Sequence, residues 1–327
     1  MKGLKRFLFR HPRARNVLKS AKATVAGTFL GMARSGSLES ALTVFVYHDV
    51  SPSPSEFSRR YHLNVPPEVF DFQIGFIKAH FTLIGPDDLL AARIPPKAAL
   101  ITFDDGLKGI FTHAVPLLEK HDVPVVIFLN MAPVKGDVFW SGLITYLCEK
   151  QEGFIEYLRE KGGEGYTGRA PFLACSREIV FSYLKRTGHS FEREVSAFTG
   201  DFATEEDLRA VSGKRNVFFG NHLYNHDNAL FLSDGELIGS FQENEAALKR
   251  YPNHTPLFSF PFGQPGSCFS PHQADLLLKN GARKVFSSYP LPNRKVSSSC
   301  LHRIGLTAFN DSPSKVWYQI FYEEMRS

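Results

Sequence analysis

Short apolar runs bounded by turn residues alternate with longer segments of helical period along most of this chain. "ALTVFVYHDV" (41–50), "FTLI" (81–84), "AALITF" (98–103) and "VPVVIFLN" (123–130) read as strands. Between them, 69–78, opening after Pro66-Pro67, and 112–121 read as helices. From about Phe139 to Lys214 the rhythm changes to successive amphipathic helices, "SGLITYLCEK", "GFIEYLREK" and "REIVFSYLKR", with a capping box of Thr204 and Asp207 before "LRAV". Strands then return at "NVFFGN" (216–221), "PLFSFPFG" (256–263), "KVFSS" (284–288) and "LHRIGL" (301–306), separated by helices over 233–249 and 271–280. About eight strands with intervening helices is the pattern of an α/β fold, a complete or distorted (β/α) barrel, interrupted at 139–214 by a helical insertion. In such barrels the chemistry sits on the loops at the carboxyl ends of the strands.

The chain has 327 residues and 43% hydrophobic content, enough for a sizeable core. Its net charge of +5 conceals an asymmetry, because nine Lys and Arg fall within residues 1–38 and the first acidic residue is Glu39. The remainder, 39–327, is mildly acidic, which argues against a nucleic-acid-binding body. Residues 1–38 read as a basic extension in which Leu4, Phe7, Leu8, Val17, Leu18 and Ala21 recur at helical spacings. It is expected either to lie on an anionic membrane surface or to be a solvated extension. A cleaved signal peptide fits less well, since the apolar stretch 23–33 is diluted by Thr and Gly. The scattered Cys148, Cys175, Cys268 and Cys300 form no Cys-x-x-Cys pair and fit reduced thiols in a cytoplasmic protein, at most associated with the inner membrane face.

Three predicted strands end in residues that bear chemistry. "AALITF" runs into Asp104 and Asp105, two like charges that need a cation, a shared proton or solvent. "NVFFG" runs into "NHLYNH", whose His222 and His226 are four apart, a spacing that in a helical turn puts both imidazoles on one face. "PLFSF" runs into Pro261, Phe262 and Gly263. Taken singly, the Asp pair is ordinary turn chemistry and the His pair two surface or capping histidines. A divalent metal explains them together: two imidazoles and one carboxylate leave a position open for water. With one aspartate on the cation, the other stays free to take a proton.

"TFDDG" (102–106), "HLYNH" (222–226) and "FSFPFG" (258–263), in this order, resemble the polysaccharide deacetylases with the NodB-homology domain, carbohydrate esterase family 4. "VYHDV" (46–50) and "FWSGL" (139–143) are similar to one branch of that family. The resemblance, over about 40–306, implies a distorted barrel of seven to eight β/α units that removes acetyl groups from N-acetylated, less often O-acetylated, sugars. It implies that Asp105, His222 and His226 hold the metal, most readily zinc, with cobalt, nickel or manganese as alternatives, and that Asp104 is the general base.

Two departures stand out. Where the family often has an arginine that orients the catalytic aspartate, this chain has Ser259; Arg303 in "LHRIGL" is the candidate replacement. No Leu-x-His motif for the general acid stands out either. His48, ending the first strand, is the candidate, whereas His302 at the start of the last strand is expected at the opposite end of the barrel. Tyr47, Trp140 and Phe262 are candidates for stacking on sugar rings, with Pro261 and Gly263 shaping the pocket wall; His189, His254 and His272 are expected at the surface. Two other readings remain open: a hydrolase of cyclic amides or imides on the same fold, and a glycan-binding protein with a relic site.

Overall fold

The computed structural model describes residues 12–161 and 176–326; Leu4, Phe7, Leu8 and Cys175 lie outside them. Eleven strands are present, β1 (Leu42–Tyr47), β2 (Asp49–Val50), β3 (Asn64–Val65), β4 (Thr82–Leu83), β5 (Ala98–Phe103), β6 (Val125–Leu129), β7 (Val217–Asn221), β8 (His254–Ser259), β9 (Lys284–Phe286), β10 (Cys300–Leu301) and β11 (Ile304–Gly305). All but β2 and β3, which pair with each other, join one sheet in the order β10-β9-β8-β7-β6-β5-β1-β11, with β4 added on β5. Every pairing in it is parallel.

The two ends of that order are consecutive in the chain. Only His302 and Arg303 separate β10, on β9, from β11, on β1, so one interrupted strand brings the sheet round on itself as a distorted (β/α) barrel. Side-chain alternation then sorts the core. Leu42, Val44, Ala98, Leu100, Phe128 and Leu257 fill the barrel interior. Their odd-even partners Phe45, Tyr47, Ile101, Phe103, Ile127 and Phe219 face outward against the helix layer. Each fully buried phenylalanine contributes roughly 1.5–3 kcal/mol.

The described residues of 139–214 are largely helical, with α3 (Trp140–Lys150), α4 (Glu152–Glu160), α5 (Arg177–Thr187), α6 (Glu192–Thr199) and α7 (Glu205–Ser212), in chain order after α1 (Pro12–Arg34) and α2 (Pro67–His80). Their apolar faces meet in a cluster of their own, with Leu147, Phe154, Leu158 and Val180 at its centre. The Thr204–Asp207 capping box opens α7.

The described part of the basic extension is not a free appendage. Helix α1 packs along the last helix, α10 (Pro313–Phe321), which follows α8 (Asp234–Leu248) and α9 (Pro271–Lys279). Ala23 and Leu30 are buried there, and a Cβ on Gly27 would stand 1.7 Å from the Ser314 carbonyl oxygen. Backbone-to-backbone contact of this closeness requires glycine.

Candidate metal and catalytic centre

The alternation that fills the barrel also aims its chemistry. On β5 the inward series 98, 100, 102 continues to Asp104, and the backbone N–H of Asp104 still bonds to the Tyr47 carbonyl on β1 at 3.0 Å. Asp105 then adopts φ +73° and Gly106 φ +87°, so the chain reverses within two residues and the second carboxylate also turns into the barrel mouth. Both are almost fully buried. Left-handed backbone recurs at Leu223, His226 and Phe262, each near +60°. Concentration of such conformations at one place is characteristic of functional sites.

His222 continues the inward series of β7. Its Nδ1 lies 2.7 Å from the Ser259 carbonyl, so Nδ1–H donates there and the Nε2 lone pair is left facing the cavity. His226 arrives differently from the expected helical turn. Residues 222–226 form an irregular turn, not a helix, and the left-handed Leu223 and His226 fold the second imidazole back towards the first. Asn130, past the end of β6, holds that turn by donating to the carbonyls of His222 and of Leu223, the latter at 2.9 Å. Sequence reasoning missed Asn130; its signal is the inward parity 126, 128, 130 on a neighbouring strand.

Asp105 Oδ1, His222 Nε2 and His226 Nε2 converge. His226 Nε2 is 3.1 Å and His222 Nε2 is 3.5 Å from the oxygen, yet this buried Oδ1 accepts no hydrogen bond of good geometry. Donors on a tetrahedral metal with bonds of about 2.1 Å stand about 3.4 Å apart. The two-nitrogen, one-oxygen set therefore fits a divalent cation. Burial pushes the His226 pKa down despite the nearby Asp105 charge, which keeps the imidazole neutral. Burial works against ionising Asp105, but His226 and His222 more than offset it and hold the carboxyl well below its usual range.

Arg303 enters from the break in the last strand. Its Nη1 donates to Asp104 Oδ1 and its Nη2 to Asp104 Oδ2, both at 2.7 Å, while Nη2 also donates to Ser259 Oγ at 2.7 Å and Nε to the Ser287 carbonyl at 3.2 Å. The small Ser259 thus leaves room for the guanidinium and accepts a hydrogen bond from it. Burial alone would raise the Asp104 pKa; the Arg303 charge and its hydrogen bonds outweigh it and keep the carboxyl below the usual range.

His48 is half-buried and continues the inward series of β1, beside Asp104 through the Tyr47–Phe103 register. His302 is not at the opposite end. It sits beside Arg303, with Nδ1 2.9 Å from Ser287 Oγ just past the carboxyl end of β9, because the last strand is broken there. Asp49 turns away and is buried against Gly109.

Tyr47 cannot stack on a sugar. It has outward parity, is 1% exposed and packs between Phe70 and Phe103 in the core. Trp140 is mostly buried in the insertion, where its ring meets Phe181 and the Arg177 guanidinium, and it lines a cleft. That cleft, of about 170 Å³, is also lined by Phe262, Arg177, Asp227 and Phe231. Pro261 is buried, and Gly263, at φ +66°, lies so close to Ser288 that a Cβ would stand 2.7 Å from its backbone nitrogen.

A larger cleft of about 1200 Å³ separates barrel and insertion and is lined by Ser51, Lys108, Phe139 and Arg193 among others. Neither cleft is lined by Asp104, Asp105 or His222. The Phe139 ring, from the larger cleft, and the Phe262 ring, from the smaller, pack on His226 at 5.1 and 4.6 Å and screen the donors between them. Sequence reasoning also missed Asp227, buried beside His226 and bound by Arg177 of the insertion at 2.6 and 2.8 Å; fifty residues apart and in separate structural units, the two give no local signal. Among the other histidines, His189 and His272 are exposed in ion pairs with Glu194 and Asp234, whereas His254 is largely buried, 2.9 Å from Glu245.

The sequence carries a matching signature over the first part of this site. Residues 91–146 match the polysaccharide deacetylase family. This segment of the polysaccharide deacetylase resemblance includes Asp104, Asp105 and Phe139. No curated protein matches the chain at sequence level. Among solved structures, IcaB from Ammonifex degensii superposes with a TM-score of 0.56 at 21% identity, over 85% of this chain and 97% of that one. The Streptococcus pyogenes deacetylase PplD in complex with acetate gives 0.53 at 16% identity, over 86% and 98%. A de-N-acetylase from Aggregatibacter actinomycetemcomitans gives 0.55 at 14% identity, over 85% and 99%. These likenesses establish the shared barrel fold.

Proposed function

We propose that this protein is a metal-dependent hydrolase that removes acetyl groups from N-acetylated sugars of a polysaccharide or glycoconjugate. The observation that carries the reading is the convergence of Asp105, His222 and His226 beside a second carboxylate, Asp104, clamped by Arg303. The family match at 91–146 and the names of two of the structural neighbours, one a deacetylase and one a de-N-acetylase, support the same reaction.

Asp105, His222 and His226 would hold the cation, with zinc the best match to two imidazoles and one carboxylate. When bound, such an ion polarises a carbonyl and acidifies water. Asp104, kept ionised by Arg303, takes the proton from the attacking water. The bidentate grip fixes the plane of the carboxylate, so the base is oriented before substrate arrives. His48, inward on the adjacent strand, is placed to return a proton to the leaving amine. Phe262 and Trp140 line the smaller cleft with apolar surface suited to a pyranose ring.

Acetate release from a panel of N-acetylglucosamine oligomers and acetylated glycosides, measured together with metal content, tests this. The proposal expects about one metal per chain and acetate released from at least one glycan. Bound metal with no acetate from any acetylated sugar, but with turnover of a cyclic amide or imide, would replace it.

A further inference from the structure

Helix α1 has two apolar faces, and only one is used inside the fold. Ala23, Gly27 and Leu30 pack on α10. On the opposite side Leu18, Val25, Phe29 and Met32 are 49%, 74%, 67% and 75% exposed. At 100° per residue these four fall within an arc of about 60°, so they form one continuous stripe along roughly four turns of helix. They account for four of the ten large hydrophobic side chains exposed among the described residues, and a stripe of this kind marks a contact surface. No helix among the described residues is long and apolar enough to cross a membrane.

Charge identifies what the stripe meets. Residues 1–38 contain nine Lys and Arg and no Asp or Glu, and Lys22 adjoins the stripe on the helix. Two copies joined through this face would bring two wholly cationic segments together without a counter-charge, whereas an anionic surface supplies both the apolar layer and the charge. We propose that α1 docks the protein on an anionic lipid bilayer, with Leu18, Val25, Phe29 and Met32 in the acyl boundary and the cations at the headgroups.

The packing also fixes which end of the barrel is brought near. Gly27 meets Ser314, Gly31 meets Trp317 and Arg34 pairs with Glu324, so α1 and α10 run parallel. Helix α10 begins beyond β11, at the carboxyl end of the strands, and Lys19 lies over the Phe309 ring in the preceding loop at 4.6 Å. The amino-terminal part of α1 therefore stands at the same end of the barrel as Asp104 and His222. A glycan presented at a bilayer surface would be close to that mouth.

The test is flotation of the full chain with vesicles of phosphatidylcholine alone and of phosphatidylcholine with about 30% phosphatidylglycerol, an anionic surface. Binding is expected on the anionic vesicles and weakened by salt as the charges are screened. Val25→Glu and Phe29→Glu, at positions 74% and 67% exposed, should each weaken it about tenfold or more with melting temperature unchanged. Lys22→Glu should weaken the salt-sensitive part. Absence of anionic-vesicle binding, or binding indifferent to both stripe variants, overturns the proposal. So does a wild-type dimer in sedimentation that Phe29→Glu converts to monomer, because the stripe is then a protein interface.

Discussion

Arg303 and Asp104 meet as two parallel hydrogen bonds of 2.7 Å each, with both side chains buried. The arginine comes from the break between β10 and β11, the aspartate from the end of β5, and the contact ties the closing strand of the barrel to its reactive end.

Removing the arginine isolates a buried carboxylate. Arg303→Ala should cost about 3–5 kcal/mol in denaturant unfolding, with kcat falling about 100-fold or more as the base loses its orientation. Arg303→Lys should restore part of the stability and less of the rate, since an ammonium keeps the charge but not the fork.

The pH dependence follows from the direction of the Asp104 shift. Its folded pKa is below the unfolded value, so its stabilising contribution is complete above the unfolded pKa of about 3.9 and is lost as pH falls through the folded pKa. Arg303→Ala removes a lowering influence, so the acid limb of the kcat/KM profile should move to higher pH. A limb unchanged in position would show that Asp104 is not the group being titrated.

Metal should stabilise the fold by mass action. Zinc at 100 times its Kd is expected to add about 2.7 kcal/mol to unfolding, with the melting temperature rising with zinc concentration. Asp105→Ala combined with His226→Ala should abolish that rise, and a chelator should reverse it in the wild-type protein.

Arg177→Met leaves Asp227 buried without its partner and should destabilise the protein by about 1–3 kcal/mol. Hydrogen exchange should then quicken in 225–228 and in the first turn of α5. Protection unchanged in both places would mean that the Arg177–Asp227 pair does not hold the insertion to the His226 turn.

The barrel is legible in the sequence because its strands are short apolar runs, most ending in a recognisable turn, and strand parity alone points Asp104, His222 and Arg303 inward. Parity also excludes Tyr47, which shares the outward face with Phe45, although its place next to His48 in a motif suggests otherwise. What cannot be read locally depends on tertiary packing. The His222–His226 geometry comes from left-handed backbone held by Asn130 rather than from helical spacing. The Arg177–Asp227 pair joins two structural units, and the fate of the basic extension turns on two glycines that let α1 settle against α10. The last strand reads as one run, and only its pairing with both β9 and β1 reveals the break that admits Arg303.

The most direct measurement is Asp104→Asn, assayed for metal content and acetate release beside wild type. Asparagine retains an acceptor for Arg303, whose other partners Ser259 and Ser287 remain, so the fold and the Asp105, His222 and His226 set should persist. The account predicts an undiminished metal complement with kcat reduced about 10²–10⁴-fold. A folded, metal-loaded Asp104→Asn protein that releases acetate within a few-fold of wild type would contradict it.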